Sequence, residues 1–600
     1  MKKLRTDILC LVAGVLGLFG FIIFAPSCAN TTQAPTGGPK DTIPPVIVKI
    51  SPLPGSVNVP VSKAQLVFTF DEYVTIKTAA NIFLSPPQEK MPKSKIHGKS
   101  LVVSFEEDLL PNTTYTLSLA DALADNNEGN MFPGFNYVFS TGERIDSMYI
   151  TGIVQDCDKL DPVKGAKVLL YKDQADSAVF MRKPVAAART DDWGFFSIPN
   201  IQDTVYRIYA VKDANNNNLY DPDSELIGFV DTLVRPVGKV NDSIPELKMY
   251  DMKDTLACLA RKAGLEINLF REKPTKQYIV NRVRTAERSA YITFMAPNAW
   301  IDSIWVRGIH NSKLITQFNR EQDSLELWIN DRKKAPDTLH VFVNYRKTDS
   351  LGLLKPELEH LKLAMEGGKK SLSKVSRRDL KHEDTICVMK MTATPETVEQ
   401  NGVEIEFNYP IIYEKFDSVK FFYKNPKQKE FKGEFSVERD SVNLRRYVIR
   451  PKGKLQKGFE YRFKVPERSF RDINGFWCDS TEVKFNLPTD ETMSTLELKM
   501  SGVEGKYIID LLNEKRDKVL RSYIIDKDEN LLFPYLKEGK YSVRITEDRN
   551  RNSIVDTGSL LEKRQPEKVR IFKKDGEKYI EVPASVEMSQ RIDVKELFKD

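Results

Sequence analysis

Short runs of alternating apolar and polar residues dominate the chain, and clusters of Pro, Gly, Asn and Asp separate them. Such runs predict half-buried β-strands, because successive side chains of a strand point to opposite faces of its sheet. Examples are residues 65–70, 114–119, 290–294 and 541–545. A helical period occurs at residues 356–366, which run into a basic stretch at 369–381. The pattern therefore predicts an all-β protein with a short helical and basic linker over residues 352–385.

The N-terminus has a different pattern. Basic residues in the first five positions precede an apolar run at residues 8–24, and small residues then lead into Cys28. This order is typical of a secretory signal. The site resembles a bacterial lipobox, except that Ala25 stands where the family prefers Leu. The resemblance implies a signal peptide at residues 1–27, cleavage before Cys28 and a lipid on its thiol. The alternative is an uncleaved membrane anchor, since the apolar run is about long enough to span a bilayer.

Residues 28–42 are polar and rich in Pro and Gly, which predicts a flexible tether between the lipidated Cys28 and a folded body. No Asp follows Cys28 directly, so the inner-membrane retention signal known for some Gram-negative lipoproteins is absent. We therefore expect an outer-membrane lipoprotein of the cell envelope. The sequence leaves open whether it faces the periplasm or the cell surface.

Two sandwich domains are predicted after the tether. Residues 43–142 contain the series Ile43-Pro44-Pro45, Pro52, Pro54, Gly55, Pro60 and Phe68-Thr69-Phe70-Asp71-Glu72, which resembles the bacterial Ig-like domain of S-layer and other envelope proteins. That resemblance implies a spacer or binding module with two packed sheets. Residues 147–250 have strand runs and a turn at Gly194 that resemble the transthyretin-like, carboxypeptidase-regulatory β-sandwich, which is not itself catalytic. Residues 252–351 are β-rich and of no recognised family.

The C-terminal part repeats the N-terminal part, and such repeats outweigh local propensity as evidence. Residues 386–490 echo the first Ig-like domain: Leu110 and Tyr115 correspond to Leu455 and Tyr461, with one residue more between them. Residues 494–600 echo the transthyretin-like domain, because a tyrosine lies seven residues before an aspartate in each. The chain is thus predicted to contain tandem β-sandwich domains, with the Ig-like and transthyretin-like pair present twice.

Two D-x-N-x-N-x-x-x-D loops follow those tyrosines. Their alternate oxygen-bearing side chains have the order of a calcium loop. The candidate ligands are Asp213, Asn215, Asn217, Asp221 and Asp223 in the first loop, and Asp548, Asn550, Asn552 and Asp556 in the second. The sixth position is Asn218 or Ser553 instead of Gly, and the twelfth is Ser instead of a bidentate acid. The alternative is a connection rich in Asx turns, in which these side chains satisfy their own backbone.

Composition narrows the remaining chemistry. The 90 basic and 84 acidic residues are nearly balanced, which argues against a nucleic-acid binder. The cysteines lie far apart with no C-x-x-C spacing, so a zinc site is not expected; Cys387 and Cys478, near the ends of one predicted domain, are a candidate disulfide. No nucleophile elbow, phosphate loop or H-E-x-x-H motif is present. Apart from calcium, no cofactor is expected.

The sequence therefore predicts a non-catalytic lipoprotein that acts as a multi-domain scaffold or adaptor. Its expected partners are the membrane, through the lipid anchor, and an outer-membrane protein or its assembly or export machinery. A glycan-binding surface lipoprotein is the first alternative, with candidate stacking residues Trp193, Trp300, Trp305, Trp328 and Trp477. A hydrolase with two facing carboxylates in residues 252–351 is the second.

Overall fold

A computed structural model describes residues 41–236, 238–239, 264–331, 335–365, 386–488 and 493–599. The predicted signal peptide, Cys28, most of the tether and the basic stretch at 369–381 lie outside the described residues. The described residues divide into two compact units. The first contains the residues up to Leu84 and Lys90–Ile145, and the second contains Ser85–Glu89 and the residues from Asp146 onward. Strands make up 48% of the structure and helices 4%, so the all-β prediction is confirmed.

The first domain is a sandwich around a core that includes Phe68, Tyr137 and Phe139. In β2, Leu66, Phe68 and Phe70 are buried while the residues between them are more exposed, as the alternating pattern predicts. The sheet orders are β1-β2-β6-β5, β4-β7-β9 and β3-β8. The strands are β1 (Ile47–Ser51), β2 (Gln65–Phe70), β3 (Val74–Ile76), β4 (Phe83–Ser85), β5 (Lys93–His97), β6 (Ser100–Ser104), β7 (Thr114–Ser118), β8 (Leu123–Asp125) and β9 (Asn136–Ser140), with a 3₁₀ turn at Ala79–Asn81.

The second domain packs a sheet ordered β12-β11-β14-β15 against one ordered β13-β10-β16. Strand β17 (Glu266–Leu269) joins the second sheet by pairing in parallel with β10. The predicted boundary at residues 250–252 is therefore wrong, because Ile267 and Leu269 are part of this domain's core. The other elements are β10 (Met148–Asp156), β11 (Lys167–Tyr171), α1 (Ala178–Met181), β12 (Ala186–Arg189), β13 (Phe195–Ile201), β14 (Arg207–Val211), β15 (Ile227–Phe229) and β16 (Gly238–Lys239).

The third domain is a sandwich of two antiparallel sheets, β18-β19-β22-β21 and β20-β23-β24. Its core contains Ile292, Leu327 and Tyr345. Its elements are β18 (Ile279–Ala286), β19 (Ser289–Phe294), β20 (Ile301–Val306), a 3₁₀ turn (Asn311–Lys313), β21 (Leu314–Phe318), β22 (Ser324–Ile329), β23 (Thr338–Thr348) and β24 (Leu354–Ala364).

The helix predicted at residues 356–366 is wrong, because β24 occupies this segment. Its eleven residues pair with β23 along their whole length, from Thr338↔Ala364 to Thr348↔Leu354. Leu361 and Leu363 are buried in the third domain's core. Glu, Leu, Lys and Ala favour a helix locally, but the ladder to β23 and the burial of alternate leucines outweigh that weak preference. The third domain thus reaches into the predicted linker at residues 352–385.

The fourth domain has the strand order of the first. Its sheets β25-β26-β31-β30 and β27-β33 match β1-β2-β6-β5 and β3-β8, while β28-β32-β34 match β4-β7-β9 and one further strand, β29, is added at the edge. The elements are β25 (Met389–Thr392), α2 (Val398–Asn401), β26 (Val403–Phe407), β27 (Ile411–Glu414), a 3₁₀ turn (Phe416–Ser418), β28 (Lys420–Lys424), β29 (Glu430–Lys432), β30 (Phe435–Arg439), β31 (Arg446–Pro451), β32 (Glu460–Val465), β33 (Phe470–Asp472) and β34 (Thr481–Asn486).

The fifth domain has the strand order of the second, including the parallel pairing of its first and last strands, β35 and β42. Its sheets are β38-β35-β42 and β37-β36-β39-β40, and β41 also pairs with β39. The elements are β35 (Ser494–Ser501), β36 (Tyr507–Asn513), β37 (Val519–Ile525), β38 (Glu529–Leu536), β39 (Gly539–Glu547), β40 (Val569–Ile571), β41 (Ile580–Val582), β42 (Glu587–Asp593) and α3 (Val594–Leu597).

Candidate functional site

The two Asp/Asn loops occupy the same place in the second and fifth domains. The first loop follows β14 and the second follows β39. The preceding tyrosines are also equivalent: the Tyr206 hydroxyl donates to Gln202 O at 2.9 Å, and the Tyr541 hydroxyl donates to Lys537 O at 2.8 Å. Each bond fixes the strand from which a loop begins.

Most hydrogen bonds inside the two loops are equivalent, with one difference: the Asn552 amide also donates to Asp548 Oδ1 at 3.0 Å, whereas Asp213 Oδ1 has no partner. The Asn218 and Ser553 amides donate to the first aspartate of their loops, Asp213 and Asp548, at 2.8 Å each. Positions four and six of both loops have positive φ, between 59° and 64°, although none of these residues is Gly. The Asx turns pair Asn217 N with Asn215 Oδ1, Leu219 N with Asn217 Oδ1, Asn552 N with Asn550 Oδ1, and Ile554 N with Asn552 Oδ1.

A lysine contacts the first aspartate of each loop. Lys167 Nζ donates to Asp213 Oδ2 and to Asn218 Oδ1, both at 2.8 Å. Lys506 Nζ lies 3.3 Å from Asp548 Oδ2 and donates to Ser553 Oγ at 2.6 Å. The two lysines are not equivalent in the repeat, because Lys167 pairs with Val211 whereas Lys506 lies opposite Asp548 itself. Each loop thus has its own positive charge, from β11 for the first loop and from the residue before β36 for the second.

A glutamate closes each loop from the other side. Glu225 accepts the amides of Ala214 and Asp221, at 2.8 and 3.1 Å. Glu567 accepts those of Arg549 and Asp556, at 3.2 and 3.1 Å. Burial raises the pKa of both glutamates, against the lowering effect of these hydrogen bonds.

The last aspartate of each loop accepts amide N–H groups. Asn215 Nδ2 donates to Asp221 Oδ2 at 2.6 Å, and Asn550 Nδ2 does the same to Asp556 Oδ2 at 2.6 Å. Burial acts to raise the pKa of Asp556, but the Asn550 and Asn552 bonds and the nearby Lys273 outweigh it, so the pKa is lowered. Asp223, the remaining candidate ligand, pairs instead with Lys276 at 3.4 Å on the surface.

These contacts bear on the calcium prediction. Calcium takes six to eight oxygen ligands, whereas here the Asn oxygens accept backbone amides and lysine contacts the first aspartate. The described residues contain no group of three or more His, Cys, Asp or Glu side chains placed to hold a metal. One feature fits a cation: Asp213 Oδ1 is buried without a hydrogen-bond partner. Calcium binding stays a prediction, and the Asx-turn connection is the arrangement observed.

The segment of residues 270–273 lies between the two loops and joins their domains. Glu272 accepts the Tyr220 hydroxyl of the first loop at 2.8 Å and, through its other oxygen, the Leu560 amide at 2.6 Å. Lys273 Nζ lies 3.5 Å from Asp556 Oδ1 of the second loop. Gly558 packs so close to the Phe270 ring that an added Cβ would lie 2.6 Å from it. Both loops therefore border the contact between the two repeats.

Other contacts join the remaining domains of the second unit. The second and fifth domains meet again where Arg516 pairs with Asp161. Arg521 donates to Glu396 O at 2.9 Å and so joins the fifth domain to the fourth. Arg445 of the fourth domain lies 3.2 Å from Glu326 of the third. The second to fifth domains thus form one connected body.

The candidate disulfide residues, Cys387 and Cys478, lie in the core of the fourth domain. Both are buried and free thiols. Cys478 Sγ accepts the Phe470 amide at 3.3 Å, and Cys387 N donates to Trp477 O at 3.1 Å. Both residues are thus hydrogen-bonded to neighbouring backbone, and the disulfide stays a prediction.

The five tryptophans do not form one surface. Trp300 is 67% exposed, Trp477 is 37% exposed and Trp328 is buried at 2%. The rings of Trp305 and Phe342 are stacked, with centroids 5.3 Å apart, so they face each other instead of lying side by side. Trp193 is half-buried at the turn before β13. The tryptophans thus provide no flat aromatic platform.

The third domain was the predicted place for a hydrolase. A cavity of about 310 Å³ lies at its border with the fourth domain and has one carboxylate, Glu326, in its lining. That carboxylate is paired with Arg445. This cavity therefore lacks the two facing carboxylates that glycoside hydrolysis needs.

The sequence pointed to Glu225 as a further candidate ligand of the first loop, but sequence reasoning missed the lysine partners of both loops and the glutamate partner of the second. Lys167 had a usable signal, because it is a charged residue at the start of the apolar run 166–171, and a buried charge needs a partner. Lys506 and Glu567 had no such signal in the sequence. Glu567 follows its loop by eleven residues, whereas Glu225 follows its own loop by four, so the spacing does not repeat. Glu272 lies outside both repeats.

Comparison with known proteins identifies the first domain. Residues 41–141 match the bacterial Ig-like domain family, so the prediction for this domain is confirmed. No curated protein matches the chain. No helix of the described residues is both long and apolar enough to cross a membrane.

Solved structures similar to the chain include a surface layer protein, a pilin subunit and a protein solved in complex with a heptasaccharide. The surface layer protein SbsC, domains 1-6, is 10% identical over 86% of this chain and 67% of that chain, with a TM-score of 0.13. BcpA, the major pilin subunit of Bacillus cereus, is 10% identical over 75% and 99%, with a TM-score of 0.14. SGBP-B of the Bacteroides ovatus mixed-linkage glucan utilization locus, in complex with a heptasaccharide, is 8% identical over 64% and 87%, with a TM-score of 0.15. These scores are too low to support a functional argument.

Proposed function

We propose that this chain is a non-catalytic, lipid-anchored protein of the bacterial cell envelope that acts as a scaffold or adaptor. Its anchor is Cys28, and its partner is an outer-membrane protein or the machinery that assembles or exports one. The observation that supports this most is the joining of the second to fifth domains by specific contacts, such as Glu272 with Tyr220 and Leu560. Connected sandwiches present residues of several domains to one partner.

The Ig-like domain at residues 41–141 supports an envelope location, because it belongs to a family of bacterial envelope modules. Residues 28–42 would then place the domains away from the bilayer, as expected of a polar tether.

Affinity purification of the full chain from detergent-solubilised membranes tests the scaffold proposal. We expect an outer-membrane protein to copurify with the chain under mild conditions and to be identified by mass spectrometry. Recovery of the chain alone, both with and without prior cross-linking in the cell, would contradict the proposal.

Metabolic labelling with an alkyne fatty acid tests the anchor separately. The wild-type chain and the Cys10→Ser control should be labelled and found in the membrane fraction, because Cys10 leaves with the signal peptide. Cys28→Ser should lose the label. A labelled Cys28→Ser chain, or an unlabelled wild type, would show that the N-terminal apolar segment is not a lipoprotein signal.

A further inference from the structure

The fourth domain contains an open cleft with a volume of about 600 Å³. Phe421 and Tyr461 form its buried floor, on β28 and β32, and the half-buried Tyr423, Phe431 and Phe459 form its sides. The volume is within the range of about 300–1,000 Å³ that is usual for small-ligand sites.

The cleft depends on the strand that distinguishes the fourth domain from the first. Strand β29 is the addition, and it pairs with β28 so that Tyr423 lies opposite Phe431 and Phe422 opposite Lys432. Gly433 follows directly, and its amide donates to Phe421 O at 2.9 Å. A Cβ at Gly433 would lie 2.4 Å from the Phe421 ring, so the glycine allows this close approach. The added strand thus supplies one wall of the cleft.

The aromatic rings form a continuous series from the core to the surface. Tyr423 and Phe431 are stacked with centroids 5.4 Å apart and planes at 18°, and Phe459 and Tyr461 are 6.4 Å apart at 20°. Tyr423 and Phe459 are 6.1 Å apart. In a closed core these side chains would be fully buried, whereas Tyr423, Phe431 and Phe459 remain partly accessible from the cleft.

The rim of the cleft is polar and positively charged. Lys452 pairs with Glu434 at 3.5 Å, and both are exposed. Lys432 and Lys454 also line the cleft, and among the described residues neither makes an ion pair. Asn425 and Gln456 add neutral polar side chains. Lys432 alternates with Phe431 on β29, so its side chain lies on the face of Phe422, away from the aromatic rings of the cleft. Lys454 is therefore the rim lysine available to a ligand.

We propose that this cleft binds a saccharide that carries acidic groups. The C–H faces of a pyranose ring are weakly positive and pack on the negative faces of aromatic rings such as Tyr423 and Phe459. The hydroxyl edges of the sugar meet Asn425 and Gln456. A carboxylate or sulfate group accepts a charge-assisted hydrogen bond from Lys454.

Calorimetric titration of the full chain tests this site. The probes are hexasaccharides of polygalacturonate, alginate and heparin, with cellohexaose as the neutral counterpart. We expect at least one acidic probe to bind, more weakly as the salt concentration rises because Lys454 is exposed. Failure of all three acidic probes, or equal binding of cellohexaose, would overturn the proposal.

Variants distinguish binding in the cleft from general electrostatic attraction to a basic surface. Lys454→Gln is expected to weaken binding about fivefold, as for the loss of one exposed charge-assisted contact, and Phe459→Ala more than tenfold. Lys420→Gln is the matched control, because Lys420 is exposed on β28 and does not line the cleft. It should change the affinity less than twofold.

The test does not depend on Phe459→Ala remaining folded, because Lys454 is exposed. Equal affinities for Lys454→Gln and Lys420→Gln would overturn the proposal. The scaffold proposal does not depend on this result, since it is tested by copurification.

Discussion

Lys167 and Asp213 form an ion pair of 2.8 Å, with only 4% and 0% of their side chains exposed. Removal of one partner of a buried pair leaves the other charge uncompensated, which typically costs about 3–5 kcal/mol. We therefore expect Lys167→Met to lower the unfolding temperature of the second domain markedly in calorimetry of the chain. Lys164→Met is the control, because its pair with Asp192 is exposed and should contribute below about 1 kcal/mol. Similar effects of the two substitutions would show that burial of the pair is unimportant.

Calcium binding by the second loop can be tested against the lysine that contacts it. If the loop binds calcium as the sequence predicts, Lys506 competes for Asp548, because its ammonium lies 3.3 Å from Oδ2. We expect Lys506→Met to bind calcium more tightly than the wild type in calorimetric titration of the residue 494–600 fragment. Asp548→Asn should abolish the heat in either background. Absence of heat and of a thermal shift in both the wild type and Lys506→Met would remove the calcium hypothesis.

The sequence was informative where local pattern and tertiary packing agree. The alternating run at β2 predicted its buried face, and the spacing of Tyr206 and Tyr541 from their aspartates predicted two equivalent loops. It failed at β24, where local helix preference opposes a ladder to β23. Pairing between distant segments leaves no local signal, so the parallel strand β17 and the partners of Glu272 were also missed.

The aromatic cleft was missed for the same reason. Its residues come from β28, β29, β32 and the segment before β32. The side chains of these strands alternate between the two faces as in any strand, so the pattern does not mark a cleft. The added strand β29 brings Phe431 beside Tyr423, and that register is set by cross-strand pairing.

Equivalent tyrosines fix a corner in the two domains that share the Ig-like strand order. The Leu110 amide donates to the Tyr115 hydroxyl at 2.8 Å, and the Gln456 amide donates to the Tyr461 hydroxyl at 2.6 Å. Gln456, not Leu455, therefore occupies the place of Leu110. Loss of one such hydrogen bond costs about 0.5–1.5 kcal/mol, so Tyr115→Phe and Tyr461→Phe should each lower the unfolding temperature of their own domain.

Tyr73→Phe is the matched control for these corner variants, because Tyr73 is 58% exposed. It should leave the calorimetric transitions of the chain unchanged. A stability loss for Tyr73→Phe as large as that for Tyr115→Phe would contradict a special role of the corner.

Burial raises the pKa of the Cys387 thiol to about 12, so the thiolate that reacts with alkylating agents is scarce near neutral pH. We expect iodoacetamide to modify Cys387 only after denaturation. Peptide mapping without reductant then decides the predicted disulfide. Alkylated Cys387 and Cys478 peptides would show free thiols, as in the structure, whereas a linked peptide would show that the pair is oxidised.

Asp125 of the first domain and Asp472 of the fourth occupy equivalent turns, and their contributions to stability should change with acid in opposite directions. Burial acts to raise the pKa of Asp125, but amides of Gly129, Asn130 and Glu128 donate to it at 2.7 to 2.8 Å and the pKa is lowered. Its contribution to stability is present above the unfolded-state pKa of about 3.9 and is lost as the pH falls through the lowered value. For Asp472, burial is the largest effect and raises the pKa, so its contribution is greatest at low pH and is lost as the pH rises through the raised value.

Asparagine substitutions should therefore change the acid sensitivity of the two domains with opposite sign. Asp125→Asn removes a contribution that disappears in acid, so the first domain should lose less stability between about pH 5 and about pH 2.5 than it does in the wild type. Asp472→Asn removes a contribution that grows in acid, so the fourth domain should lose more. Calorimetry of the wild type and both variants across this range measures, for each domain, the slope of stability against pH. Slopes that shift in the same direction would contradict the opposite protonation behaviour of these two turns.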